Sequence, residues 1–456
     1  MKLQLSEIAQ AVQSEVVNQN AKLIVTGVSI DTRTLKPGQL YIAIQGKQFD
    51  GHQFIDQALQ AGAVAIISAQ PLANDIPHIL VKDTRLALAQ LAGFWRKQLA
   101  VKIVGVTGSN GKTTVKEMLA AILATQGETL FTQGNLNNDI GVPLTLLNLE
   151  THHRFAVIEM GANHPGEIAY TSQIAQADVS IINNVGAAHI EGFGDLKGVA
   201  KTKGEIIENL KLDGVAILNK DDSFFPYWQQ LVKTRSLISF GFSAEAKVRA
   251  EAISKEIQAN QFVTRFELQT DTQTGVTIEL HLAGEHNVKN ALAAAAAAIA
   301  LGLDNQAIKQ GLESLKPVTG RMQPVIGRKG NLIIDDTYNA NPSSLNAALT
   351  VLDKQQINWV VLGAFGELGN EAAQIHQQMG ESLKTYPVQQ LFAVGELARH
   401  TVQAFGEGAR FFETQQQLIT ALEEGLTGRE TLLVKGSRSQ KMEQVVAAMV
   451  DNYRAA

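Results

Sequence analysis

Val104-Gly105-Val106-Thr107-Gly108-Ser109-Asn110-Gly111-Lys112-Thr113-Thr114 is the stretch from which the fold can be read. A β-branched run, Lys102 to Thr107, enters a glycine turn, and helix-forming residues follow from about Thr113 to Leu123. Strand, glycine turn and helix in that order make a phosphate-gripping loop. Glycines let backbone amides turn inward, and the helix N-terminus adds the positive end of its dipole. Lys112 is placed to reach β- and γ-phosphates, and the Thr113 hydroxyl to coordinate Mg²⁺. Gly108, Ser109, Asn110, Gly111, Lys112, Thr113 and Thr114 are therefore the nucleotide-binding candidates. One position departs from the usual motif: Val106 stands six residues before the lysine, where glycine is standard, so the loop has the compact form GxxGKTT. A plain glycine turn ahead of a helix does not account for the Gly-Lys-Thr-Thr run.

Outward from this loop, buried runs at Phe155 to Glu159, Val179 to Asn183 and Val215 to Leu218 alternate with helical segments, which implies a mainly parallel sheet. Mg²⁺ on a triphosphate needs hard oxygen ligands at strand ends near the loop. Glu159, closing Phe-Ala-Val-Ile-Glu, is the carboxylate in that position; the bland reading is a surface glutamate past a strand end. His189, after the run Ile181 to Gly186, is a second candidate ligand, although a lone histidine is as readily a packed or exposed one. Lys201 and Lys203 follow on a helix from Gly198 to Leu210, and spacing does not choose between them.

Ahead of the loop, strands at Leu40 to Ile44, Ala63 to Ser68 and His78 to Val81 and a helix at His52 to Ala61 suggest a small α/β unit over residues 1–82. Residues 83–314 form the central unit, in which polar alternating runs at Phe262 to Leu268 and Gly275 to Leu282 read as antiparallel strands. An alanine-rich helix follows over His286 to Leu301. From 315 to 456, strands at Leu332 to Asp335, Trp359 to Leu362, Leu391 to Val394 and Thr431 to Val434 alternate with helices, as in an open Rossmann-like sheet. The fold class is thus α/β in three domains, the middle one a mononucleotide-binding parallel sheet. No GxGxxG fingerprint and no internal repeat is present.

A chain of 456 residues exceeds one ordinary core, in keeping with that division. A net charge of −5, with 39 basic and 44 acidic residues and no long run of either sign, gives no footprint for nucleic acid. The absence of cysteine excludes disulfides and thiolate metal sites. The start MKLQLSEIAQ lacks a signal-peptide core, and no run nears the ~20 apolar residues of a membrane span. A cytoplasmic monomer without membrane insertion is expected.

These pieces together resemble the Mur ligases of bacterial cell-wall synthesis. GSNGKTT, the strand-end glutamate, NNVGAAH (183–189), AKTKGEI (200–206) and GEHNVKN (284–290) recur in that family's order, over essentially the whole chain. Four stretches, GNLNNDIGVP (134–143), EMGAN (159–163), DDTYNANPSS (335–344) and KGSRS (435–439), look like the member that adds D-Ala-D-Ala, and the DNPR-type motif of the member acting before it is absent. The resemblance implies UDP-MurNAc-tripeptide and D-Ala-D-Ala as partners, ATP with two Mg²⁺ ions, and an acyl phosphate on the peptide's terminal carboxylate that the dipeptide's amine attacks. It implies Lys112, Glu159, His189 and Lys201 as catalytic. Thr113 and Glu159 would hold one metal, and His189 with a carbamylated Lys201 the other; an unmodified Lys201 could instead contact phosphate directly. Asn290, with Asn287 one turn before it, resembles the adenine contact, and Arg321 and Asp336 the residues near phosphate and ribose. Ser29 and Arg33, in the Ser29 to Arg33 turn, look like the UDP-binding pattern, as does Asp50-Gly51-His52. Asn137, Asn138 and Asp139 would face the peptide, and Tyr338, Asn339, Asn341 and Ser343 the D-Ala-D-Ala end.

Two other readings compete. Folylpolyglutamate synthase is a related ligase with a similar loop but without a UDP-binding first unit, whereas here about one small domain's worth of chain precedes the loop. A nucleotide-driven switch would hydrolyse ATP to move domains. The ligase reading expects an arrangement that is open without ligands and closes when both partners bind.

Overall fold

The computed structural model describes residues 1–453 except 18–20, 47–48, 74, 187–192, 259–260, 272, 316–318 and 452. Three larger sheets follow one another along the chain. The first has five strands in the order Val16–Val17, His78–Leu80, Ala65–Ser68, Leu40–Ile42, Val28–Ser29, parallel apart from the Val16–Val17 edge. The expected helix at His52 begins as a tight turn, Gly51–Phe54, capped by the Asp50 carboxylate, and continues as Ile55–Gln60.

The central sheet has nine strands. Thr129–Phe131, Phe155–Glu159, Lys102–Thr107, Val179–Ile182, Val215–Asn219, Ser236–Gly241 and Val248–Gln258 run parallel. Gln261–Thr270 and Val276–Leu280 then extend the edge as antiparallel strands, so the polar alternating runs continue this sheet instead of forming another. Residues along Lys102–Thr107 are buried on both faces. Ile103 joins the core beneath the helices Thr84–Lys97, Glu167–Ala175 and Leu196–Glu208; Val104 and Val106 join the core beneath Lys112–Ala124, Glu285–Ala300 and Asn305–Glu313. Such two-sided covering is what a parallel sheet requires, because every crossover helix must lie on one face or the other.

The third sheet has the order Gln323–Ile326, Leu332–Asp336, Glu430–Lys435, Ile357–Gly363, Gln390–Val394, Ala409–Phe412, parallel except at the Gln323–Ile326 edge. Among the described residues no helix is long and apolar enough to cross a membrane.

Candidate active site

The phosphate loop leaves the end of Lys102–Thr107 between two parallel neighbours. Their registers, Glu159 beside Val106 and Ile182 beside Thr107, bring Glu159 and Asn183 to the loop's mouth. Gly111 holds a left-handed φ of +76° and precedes the helix Lys112–Ala124. A Cβ there would lie 2.3 Å from Asn290 Oδ1 and 2.6 Å from Asn183 Nδ2, so both backbone conformation and space demand glycine. Asn290 is thereby placed under the loop, not out at its mouth. Its Oδ1 accepts from Asn183 Nδ2 at 2.8 Å and its Nδ2 donates to Asn287 Oδ1 at 3.1 Å, while Asn287 donates to the Ala283 carbonyl. Asn183 and Asn184 in turn both donate to the Asn110 carbonyl, and the Asn110 N–H donates to Asn184 Oδ1. The loop is thus braced by neutral amides that supply donors and acceptors without adding charge.

Charge enters through few groups. Lys112 Nζ donates to the Gly108 and Ser109 carbonyls at 2.7 and 3.2 Å. Burial lowers its pKa, the Glu159 charge opposes that shift and Arg321 adds to it. Glu159 is 2% exposed: Oε1 accepts from Asn137 Nδ2 at 2.8 Å, and the buried Oε2 has no protein partner. Arg321 Nη2 donates to Thr113 Oγ1 at 3.0 Å, and its guanidinium lies 4.2 Å from the Tyr338 ring centre, with Arg438 over the same ring at 5.5 Å. Asp336 is engaged as well, accepting from Lys435 Nζ at 2.5 Å. Beside this pair the half-buried His286 has its pKa pushed down to about 4, chiefly by desolvation of the ring.

The two lysines left open by spacing are separated by the fold. Lys201 is exposed, whereas Lys203 is 6% exposed, with burial pushing its pKa well below the ordinary value and the Lys112 charge lowering it further. Two positions on a helix are about 200° apart, so only one of the pair faces inward; that one is Lys203, while Lys201 faces outward. His189 lies outside the described residues.

The remaining candidates are distributed. Ser29 is buried and its hydroxyl is shared with the Asp31 backbone, while Arg33 stands at the surface paired with Asp31 at 2.6 Å. Asn137 touches Glu159; Asn138 Oδ1 instead accepts the Gly141 N–H at the start of the helix Gly141–Leu147. Asp139 pairs with Arg85 at 3.2 Å. Asn339 Oδ1 accepts the next residue's N–H, and its carbonyl accepts from Lys435. Asn341 and Ser343 both reach Asn110, at 2.7 Å each. The third sheet's unit touches the loop through Arg321, Asn341 and Ser343.

The chain matches three family regions: the Mur ligase family catalytic domain over residues 24–96, the Mur ligase middle domain over 106–298, and the Mur ligase glutamate ligase domain over 320–438. It is 43% identical over 451 residues, 98% of each chain, to UDP-N-acetylmuramoyl-tripeptide–D-alanyl-D-alanine ligase of Escherichia coli K12. The chain belongs to the Mur ligase family. Among solved structures this Mur ligase is similar to MurF of Acinetobacter baumannii, with a TM-score of 0.92, 38% identity and 98% of each chain covered. It is also similar to MurF of Thermotoga maritima in complex with ADP, with a TM-score of 0.82, 29% identity, 93% of this chain and 97% of that one.

Sequence reading gave no role to Asn183, Asn184 or Lys116, and did not single out Lys203. Lys116, one turn beyond Lys112, is 1% exposed and donates to the Thr132 carbonyl at 2.6 Å; the Thr132 hydroxyl in turn accepts the Glu159 N–H. A signal for Lys203 did exist: Val199, Lys203, Ile206, Ile207 and Leu210 recur at helical spacing, and all are buried. The cost of burying Lys203 is testable. In carbon-dioxide-free buffer Lys203→Met should raise the unfolding free energy by about 1–3 kcal/mol, because an unfavourably desolvated amine is replaced by apolar volume. A lowered folded pKa penalises folding wherever the unfolded lysine is charged. The gain is therefore largest on the acid side and fades as pH approaches 10.5, where the unfolded amine also loses its proton. Urea titrations of both proteins across pH 6 to about 10 check magnitude and sign.

Proposed function

We propose that this chain joins D-alanyl-D-alanine to the terminal carboxylate of UDP-N-acetylmuramoyl-tripeptide, with conversion of ATP to ADP and phosphate. The observation that carries the reading is Lys112, set between the Glu159 carboxylate and the Arg321 cation, at a phosphate loop that a second unit of the chain also touches. A carboxylate is a poor acyl donor, and its phosphorylation brings two anions together, so concentrated positive charge is what the step needs. A carboxylate oxygen of the peptide takes the γ-phosphoryl group and ADP leaves. The dipeptide's amine then attacks the carbonyl carbon, its surplus proton is lost, and inorganic phosphate leaves as the amide forms.

Residue roles follow from placement. Lys112 and Arg321 hold phosphate oxygens, and the Gly108 to Thr114 amides line the loop. Thr113 and the unpartnered Glu159 Oε2 are hard oxygen donors that fit Mg²⁺. Mg²⁺ commonly keeps waters and phosphate oxygens beside one or two protein donors, which suits this pair. Bound there, Mg²⁺ supplies charge neutralisation on the phosphates. Lys203 takes the place first given to Lys201. A lysine whose pKa is lowered by burial presents the neutral amine that carbon dioxide requires, and the resulting carbamate anion would offset the Lys112 charge that disfavours the ammonium. Arg33 at the first unit's surface meets the UDP diphosphate, the Asn137 to Asp139 turn faces the peptide, and Tyr338 and Asn339 face the dipeptide. The reading carries with it a monomer acting in the cytoplasm.

The first test is phosphate release from ATP with UDP-MurNAc-tripeptide and D-Ala-D-Ala, added separately and together. Turnover is expected only with both, and Lys112→Ala should lose at least a hundredfold in kcat, the scale of removing a charge-stabilising group. Turnover indifferent to both compounds would replace the ligase by the ATP-driven switch. A second test locates the modification: enzyme equilibrated with ¹³C-bicarbonate should give a carbamate resonance that survives Lys201→Ala and vanishes in Lys203→Ala. Loss in Lys201→Ala alone would restore the first assignment.

A further inference from the structure

Asn110 sits in the phosphate loop, yet its side chain points away from the loop toward another unit of the chain. Its backbone is fixed on both sides by Asn183 and Asn184. Its side chain then makes two contacts with residues more than two hundred positions distant: Nδ2 donates to Ser343 Oγ at 2.7 Å, and Oδ1 accepts from Asn341 Nδ2 at 2.7 Å. Ser343 Oγ donates onward to Asn341 Oδ1 at 2.8 Å, closing a three-membered ring of hydrogen bonds. Asn341 is also the cap of the helix Pro342–Leu349, its Oδ1 accepting the Ser344 N–H, so the ring is rigidly attached to the third unit. The approach is close enough that a Cβ on Gly186 would lie 2.8 Å from Ser343 Oγ.

We propose that Asn110, Asn341 and Ser343 form a polar latch that positions the amine-bearing unit over the phosphate loop, and that Asn341 and Ser343 act in this way instead of contacting the dipeptide. The inference rests on the ligase reading above. An acyl phosphate is prone to hydrolysis, and its productive fate depends on the amine arriving in line before water does. Neutral hydrogen bonds suit a contact that must form and release once per turnover, since each contributes modestly in net terms. A latch at the loop itself makes phosphate position and amine position one geometric variable. It also leaves Lys112 and Glu159 untouched, so its loss affects the second chemical step more than the first.

The test is the ratio of phosphate released to amide formed, with dipeptide KM measured alongside, in Ser343→Ala, Ser343→Thr and Gly186→Ala. The first deletes the shared hydroxyl, the second restores it, and the third wedges the two units apart without removing a polar group. Wild type is expected at one phosphate per amide. Ser343→Ala and Gly186→Ala should raise that ratio and raise dipeptide KM roughly two- to tenfold, the range for one or two neutral hydrogen bonds, with ATP KM unchanged and Ser343→Thr close to wild type. If both variants keep the ratio at one and the dipeptide KM of wild type, or lose both steps in equal proportion, the latch is overturned while the ligase stands. If wild type itself makes no amide, the parent reading is what fails.

Discussion

Like charge held in the interior is the constraint around which the rest of this molecule is arranged. Lys112 and Lys203 both have pKa values lowered by burial; the Arg321 charge lowers Lys112 further, the Lys112 charge lowers Lys203 further, and Glu159 is the carboxylate that opposes the shift at Lys112. Left alone, such an arrangement spreads apart or loses protons. It holds because the parallel sheet fixes the positions: Lys112 at the start of a helix, Glu159 at a strand end, Lys203 on the inward face of the helix Leu196–Glu208. The phosphates of a bound nucleotide supply charge of the opposite sign.

Within this charged centre the scaffold is neutral. Asn287, Asn290, Asn183, Asn184, Asn110 and Asn341 form a continuous series of amide contacts from the alanine-rich helix, under the loop, to the third unit. An amide both donates and accepts, so one residue type can brace a loop on several sides without altering the field that phosphate encounters. Charged braces in the same places would compete with Lys112 for the ligand or repel it.

How much of this was legible in the sequence depended on whether the signal was local. The loop, its strand and its helix were readable because a phosphate loop is a contiguous structure, and Glu159 because a charge closing an apolar run is rarely buried without a task. The burial of Lys203 was readable in principle from the spacing of Val199, Ile206, Ile207 and Leu210, a helical period that Lys201 does not share. The three-residue strand Thr129–Phe131 was missed because its state is decided by pairing with Phe155–Val157, not by its own composition. The partners of Asn110 had no local signature. DDTYNANPSS could be seen to matter, yet its sequence does not say that Asn341 and Ser343 face the loop while Asn339 turns back on its own backbone.

The two outer units are joined to the central one by different physics, and the difference suits their tasks. The core of the first unit runs without a break into that of the centre: Leu5, Ile8, Leu40 and Ile67 belong to the same buried cluster as Leu88, Leu91 and Ile158. Burial on that scale does not open and close in a catalytic cycle, since each large side chain exposed costs about 1.5–3 kcal/mol. The third unit meets the centre through Phe262 and Ala283 and through hydrogen bonds from Arg321, Asn341 and Ser343. Contacts of that number and kind are separable at a cost that substrate binding can offset. On the proposed ligase reading, that division would set the large UDP-peptide on the fixed side and leave the separable unit to admit a small dipeptide. Arg85 shows the fixed side of that design in miniature, bonding the Gln45 carbonyl of the first unit and the Asp139 carboxylate of the centre at once.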